Sequence, residues 1–227
     1  MKVFLFVNES MGKRIFNKLT SEKLKITGIF SDKKSKDYNF YKNKSKKLKF
    51  KLFYNLEKQY VKIKEHLISE KIDVMINIFS YSKIPNELIN LIRIGAFNLH
   101  PGKLPQYAGL NPISWSLHNG EKHHHITLHW MTDSIDSGPI VVSKSFKIHE
   151  KDSAIDLMKK SIKYGEKLIF QFLKKIKKNN KKIPKINQNL KKRKYNSNQI
   201  PNSGFINWST KASQIHNFVR AFDYKPY

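Results

Sequence analysis

Asn98 and His100 lie two residues apart in an otherwise apolar run, GAFNLH, that stops at Pro101–Gly102. Alternate residues of a strand project from one face, so a strand here sends out a carboxamide and an imidazole together. Such a pair suits chemistry in which a donor steadies developing negative charge while a ring nitrogen moves a proton near neutral pH. It also suits two satisfied polar residues beside a loop. The context favours chemistry. The loop PGKLPQYAGLNP carries three prolines that stiffen it and two glycines that permit close backbone approach. Further on, HWMTDSIDSGPIV sets Asp136 just ahead of Ser137–Gly138 in a strand connection. A carboxylate there can reach a histidine on another strand, orient it and favour its charged form.

Residues of this kind need elements to hold them. KVFLFV (2–7), LKITGIFSD (24–32), IDVMINIF (72–79) and GAFNLH read as buried strands, and KFKLFY (49–54) as a short alternating one. MGKRIFNKLTS reads as a helix, and residues 33–49 as lysine-rich and irregular. EKQYVKIKEHLISEK (57–71) places Tyr60, Ile63, Leu67 and Ile68 at helical spacing, and NELINLIRI is a short helix. Alternating strands and helices predict an α/β fold, an open Rossmann-like, mostly parallel sheet flanked by helices. Ligands of such sheets bind beyond the carboxyl ends of the strands. Those ends are Asn8, Ser31–Asp32, Ser80–Tyr81–Ser82 and His100–Pro101–Gly102. No G-x-G-x-x-G follows the first strand, so a dinucleotide is not signalled.

Beyond the loop, NPISWSLHNG (111–120) reads as a helix stopped by Gly120. HHITLHWM (124–131) and GPIVVSKSFKI (138–148) read as strands. Residues 151–178 form the clearest helix, with Ile155, Met158, Ile162, Ile169, Phe172 and Ile176 as a core-facing stripe. The predicted organisation is a catalytic domain over 1–178, a basic exposed connector over 179–203 and a short strand–helix appendage over 204–227. In that appendage Ser209 or Thr210 caps a helix whose apolar face is Ile215, Phe218 and Val219. Trp115, Trp130 and Trp208 read as core.

Apolar residues make up 39% of 227, enough for a folded core, and no cysteine is present, which removes thiolate chemistry and disulfides. The first apolar run is broken at Asn8 and Glu9. No run approaches the roughly 18 apolar residues of a membrane span, so a cytoplasmic protein without membrane attachment is expected. The net charge of +27 raises nucleic-acid binding. However, Arg14, Arg93, Arg193 and Arg220 are the only arginines among 44 basic residues. Lys, Asn and Ile share A/T-rich codons, so base composition is a competing account of the excess, and it is favoured because the residue best suited to phosphate and base forks is scarce. Anionic small molecules are attracted to such a surface all the same. His123, His124 and His125 are consecutive and point to different sides of a strand, which suits chelation poorly, so no metal is expected.

The stretch from Phe97 to Glu121, with HHITLHWMTDSIDSGPIV after it, resembles the core of the folate-dependent formyltransferases, which formylate an amine from 10-formyltetrahydrofolate. The matching positions are Asn98, His100, Pro101, Leu104, Pro105, Tyr107 and Gly109, then Thr127, His129, Asp136 and Gly138. The resemblance implies the formyltransferase fold and a triad of Asn98, His100 and Asp136. In it, the Asn98 amide and protonated His100 donate to the oxyanion, and His100, or Asp136 through water, carries the proton. His129 would lie beside the triad. Folate would sit on Ser80, Tyr81, Ser82, Lys83 and Ile84, if that loop is more than a plain turn, and on Asp133 and Ile135. FVNESMG is similar to the first loop of the sugar N-formyltransferases. That likeness puts Asn8, Met11 and Gly12 near substrate; Lys103 and Tyr107 are further substrate-site candidates, and Phe222 and Tyr224 candidates for base or sugar contacts. Arg220 would make a charged contact or a core ion pair.

The acceptor favoured by the resemblance is a nucleotide-linked amino sugar, with a homodimer as the assembly suggested by analogy. Initiator methionyl-tRNA and glycinamide ribonucleotide are the competing acceptors. The tRNA enzymes carry a C-terminal barrel for which the residues after the long helix leave little room. A basic RNA-binding protein on the same scaffold is the non-enzymatic alternative.

Overall fold

The structure, a computed structural model, describes residues 1–22, 24–179 and 182–225. Alternation along β1 (Lys2–Val7) decides the architecture: Val3, Leu5 and Val7 join one hydrophobic cluster, Phe4 and Phe6 the other, and all five are fully buried. A strand buried on both faces lies mid-sheet with helices on each side. The chain continues through α1 (Glu9–Ser21), β2 (Lys25–Phe30), α2 (Tyr38–Leu48), β3 (Lys51–Phe53), α3 (Tyr60–Glu70), β4 (Val74–Ile78) and α4 (Asn86–Asn90). There follow β5 (Gly95–His100), β6 (Ala108–Gly109), α5 (Pro112–His118), β7 (His123–Trp130), β8 (Ile140–Lys147), α6 (Ala154–Asn179), β9 (Tyr195–Asn196) and α7 (Ala212–Ala221).

Seven strands form one sheet in the order β3-β2-β1-β4-β5-β7-β8. The strands from β3 to β5 are parallel, whereas β7 runs antiparallel to both β5 and β8. The chain steps outward from β1 to β3 and then returns to the other side of β1, so a crevice opens where the order reverses. One face of the sheet packs on Met11, Ile15 and Phe16 of α1 and on Ile169, Phe172 and Leu173 of α6; the other packs on Ile63 and Leu67 of α3 and Leu88 of α4. Strands β6 and β9 pair separately, in parallel.

Several expectations are corrected. Residues 33–49 are not irregular throughout: α2 forms because Tyr41 is fully buried and meets Phe16 edge-on, an anchor hidden among lysines. In α3, Ile68 is 53% exposed and His66 takes the buried position instead. Ile162, Ile169, Phe172 and Ile176 of α6 are buried, but Ile155 and Met158 are half-exposed at a cleft. No strand forms within 204–210; Asn207 accepts from Ser209 N and from the Thr210 hydroxyl in a local turn, and α7 starts after Lys211. Val219 and Trp208 are exposed, Trp208 by 77%. Among the described residues Arg220 makes no ion pair; its guanidinium donates to the carbonyls of His149, Glu150 and Asp152 and to Asn217 Oδ1.

The connector is exposed in its side chains but not free in its backbone. Ile186 exchanges both backbone hydrogen bonds with Ile140, the Trp130 indole donates to the Pro184 carbonyl, and β9 pairs with β6. Residues 180–181 of that segment and 226–227 of the tail lie outside the described residues.

Phe97 precedes Asn98 and points to the opposite face, where it is fully buried between Trp130 (4.7 Å) and Phe172 of α6 (4.8 Å). Phe97→Ala is expected to cost about 3–5 kcal/mol, read as a fall in the urea midpoint with an unchanged slope. A loss under about 1 kcal/mol would mean that this packing does not anchor β5.

Candidate active site

Three neighbouring strands place one polar row. In register, Asn77 of β4 lies opposite Asn98 of β5, which lies opposite His129 of β7. Asn77 acts locally. Its Oδ1 accepts from Ser80 N and its Nδ2 donates to Ser80 O, both at 3.2 Å, folding back the loop after β4. Asn98 is the centre of the row. Its Nδ2 donates to Asp136 Oδ1 at 3.0 Å and lies 3.0 Å from His129 Nε2. His129 Nδ1 meets the Trp130 carbonyl at 2.8 Å. A carbonyl only accepts, so Nδ1 carries a proton. One amide hydrogen of Asn98 is committed to Asp136.

His100 is 4% exposed. Its Nε2 donates to the Tyr107 carbonyl at 2.7 Å, and its Nδ1 stands 3.4 Å from Asp136 Oδ2. Burial pushes the imidazole below its ordinary pKa; Asp136 pulls it back up and His129 adds to the lowering. Asp136 accepts from the Gly109 amide at 2.9 Å and faces His129 at 3.3 Å. Burial acts to raise this carboxyl, but His100, His129 and the Gly109 amide together hold it well below the usual carboxylate range. One buried anion is thus contacted by an amide side chain, two imidazoles and a backbone N–H. This arrangement can accept a proton on His100 Nδ1 and stabilise the imidazolium that results.

The triad faces a cleft of about 220 Å³ at the carboxyl ends of β4 and β5. Ser80, Tyr81, Ser82, Lys83, Ile84, Asp133 and Ile135 all line it, with Tyr81 exposed by 70%. A second cleft of about 820 Å³ occupies the crevice beside β1 and includes Asn8, Met11, Ile155 and Met158. Lys34, Lys36 and Lys159 line it too, beside Asp32 and Asp37. The clefts share Phe79, Tyr81, Ser82, Met158 and Tyr224, and the Tyr224 hydroxyl is 2.9 Å from Ser114 Oγ.

Four residues expected near substrate lie apart from the residues lining either cleft. Gly12 packs so tightly that an added Cβ would sit 2.7 Å from Val7 Cβ and 3.0 Å from the Tyr41 hydroxyl. Lys103 is exposed. Tyr107 contributes its carbonyl, while its buried hydroxyl donates to Glu121 at 2.7 Å; burial and that hydrogen bond push its pKa up to about 12. Phe222 packs against Phe218 and His118. Two partners were not foreseen from the sequence. The Gly109 amide and Gln188 both act on the Asp136 turn, and Gln188 comes from a lysine- and asparagine-rich segment with no periodicity to single it out.

The histidine triplet diverges as its spacing implies. His124 is buried against Phe146 with Nδ1 at 3.0 Å from Ser116 Oγ, whereas His125 reaches toward Ser143 and His123 is exposed. Burial, with His125 and His100 nearby, pushes the His124 pKa down to about 3. A histidine lowered in the folded state is protonated first in the unfolded chain. Its neutral form therefore supports folding fully above about pH 6.5, and that support is lost progressively as pH falls toward 3. His124→Gln is expected to flatten this loss, so the urea midpoint of the variant should fall less than wild type between pH 7.5 and pH 4.5. Parallel falls would show that His124 is not the acid-sensitive group.

Comparison with known proteins gives three findings. The family described as formyl transferase matches residues 1–173. The bifunctional polymyxin resistance protein ArnA of Wigglesworthia glossinidia brevipalpis is 34% identical over 97% of this chain, which spans 34% of that protein's length. Among solved structures, WlaRD, a sugar 3N-formyl transferase determined with dTDP and 5-N-formyl-THF, is 20% identical, with a TM-score of 0.77 over 98% of this chain and 79% of its own. An N-formyltransferase from Helicobacter canadensis, determined with folinic acid and dTDP-3-aminofucose, is 21% identical, with a TM-score of 0.75 over 97% and 80%.

Proposed function

The chain belongs to the formyl transferase family, and from that premise we propose that it moves a formyl group from 10-formyltetrahydrofolate to the amine of a nucleotide-linked amino sugar. One observation carries the reading: the Asn98–His100–Asp136 cluster opens on one cleft that is continuous with a second, larger one. Two reactants held in adjoining clefts can meet at a fixed geometry.

The first cleft fits the folate. Tyr81 and Ile135 present exposed apolar surface there, and the loop of Ser80 to Ile84 offers backbone polar groups. The second fits a sugar nucleotide, with Lys34, Lys36 and Lys159 for a diphosphate, Asp32 and Asp37 for hydroxyls, and Ile155 and Met158 for apolar ring surface. The ligands named are dTDP and 5-N-formyl-THF for WlaRD, and dTDP-3-aminofucose and folinic acid for the Helicobacter canadensis relative. Among the described residues no helix is long and apolar enough to cross a membrane; the reading places the enzyme in the cytoplasm.

When bound, 10-formyltetrahydrofolate supplies the formyl carbon and the leaving nitrogen. Asn98 holds Asp136 through its Nδ2, and its Oδ1 takes up an N–H of the attacking amine. The amine nitrogen bonds to the formyl carbon, and the carbon–nitrogen bond to the folate breaks. The amine's proton passes to His100 Nδ1, where Asp136 stabilises the imidazolium, and is returned to the folate nitrogen. Proton transfer of this kind is worth roughly 10²–10⁴-fold.

The test is incubation with 10-formyltetrahydrofolate and a panel of acceptors: dTDP- and UDP-linked amino sugars, glycinamide ribonucleotide and charged initiator tRNA. Release of tetrahydrofolate with formylation of a sugar nucleotide is expected. Turnover with tRNA or the ribonucleotide alone would reject the acceptor class. His100→Ala and Asp136→Asn should each lower kcat by about 10²–10⁴-fold; full activity in either would reject the proton route.

A further inference from the structure

Asp136 sits in the left-handed region, at φ +55°, which is sparsely populated for a residue with a side chain. Something has to hold that turn, and the segment expected to be a loose connector does. Gln188 Nε2 donates to the Asp136 carbonyl at 3.0 Å and to the Gly138 carbonyl at 2.6 Å. Arg193 Nη2 donates to the Ile135 carbonyl at 2.9 Å. Both acceptors of Gln188 are carbonyls, so its amide orientation is fixed, and its Oε1 is buried without a hydrogen-bond partner. The same segment fixes the other side of the carboxylate. Ala108 N donates to the Lys194 carbonyl and Leu110 N to the Asn196 carbonyl, bracketing the Gly109 amide that donates to Asp136 Oδ2.

We infer that Gln188 is a positioning residue for the reaction: it clamps the Asp136 turn from behind so that the carboxylate stays on His100, His129 and the Gly109 amide at once. The inference rests on the formyl-transfer reading above. The contacts leave little slack. Asp136 meets its four partners at 2.9–3.4 Å from a buried position, and among the described residues no second carboxylate takes part. The titratable groups facing it are His100 from β5 and His129 from β7. Release of the turn weakens the pull of the carboxylate on His100.

The experiment compares the wild-type chain with Gln188→Glu, which sets an acceptor against two carbonyls, Gln188→Leu, which removes the donor, and Gln188→Lys, which restores one. Asn187→Ala, at an exposed neighbour, serves as control and should match wild type. The Glu and Leu variants are expected to lose about 10–100-fold in kcat with KM for 10-formyltetrahydrofolate little changed. The acidic limb of their kcat profile should move to lower pH, and the Lys variant should recover part of both. Imidazole NMR should show His100 titrating lower in the Leu variant, without any turnover. Wild-type kcat and pH limb in folded variants, with only the melting temperature lowered, would overturn the inference. Absence of formyl transfer by wild type would instead sink the functional reading, and the His100 titration then decides the role of Gln188. If one variant fails to fold, the others carry the comparison.

Discussion

A carboxylate taken out of water carries a penalty of several kcal/mol unless fixed partners replace its hydration. Asp136 meets that condition through segments far apart in sequence: Asn98 and His100 from β5, His129 from β7 and the Gly109 amide from the loop between them. The demand explains features that otherwise look unrelated. The strand pairing must be in register for Asn98 and His129 to share a face, since a slip of one residue turns the side chains over. The loop over 101–111 must be stiff enough to aim one amide. The turn over 132–138 must accept a left-handed residue and be braced against relaxing.

Sheet topology decides what surrounds this anion. The reversal of strand order at β1 and β4 opens the larger cleft, and the antiparallel step from β5 to β7 brings the Asp136 turn over the smaller one. Charge works at a longer range. An excess of +27 distributed as lysine attracts anions generally and is screened within about 10 Å at moderate salt, so it concentrates phosphorylated ligands without selecting one. Selection falls to the groups inside the clefts.

The strands were legible because buried parallel strands are continuous apolar runs, and Asn98 and His100 stood out because they interrupt that pattern at a predictable edge, whereas Asp136, in a polar turn, was singled out by its place before Ser137–Gly138 and by the family resemblance. What escaped reading has a common cause. Helix α2 hangs on Tyr41 in a field of lysines, and Gln188 acts through an amide in a segment with no periodicity. Tyr107 shows the opposite error. Its type suggested a ligand contact, yet its backbone carbonyl holds His100 and its ring is tied to Glu121. Side-chain type does not report work done by the main chain. The roles of cleft residues such as Asn8 and Tyr224 belong to the same class: location follows from topology, but the partner does not.

The four arginines have a meaning of their own. Arg14 joins α1 to Glu166 of α6, Arg93 pairs with Asp73, Arg193 reaches the Ile135 carbonyl, and Arg220 gathers three carbonyls and an amide oxygen. Each spans segments that are distant along the chain, and Arg220 uses several donors of one planar head, a geometry lysine cannot reproduce. The scarce arginines thus sit at seams of the structure, where one side chain ties together stretches of chain that meet only on folding.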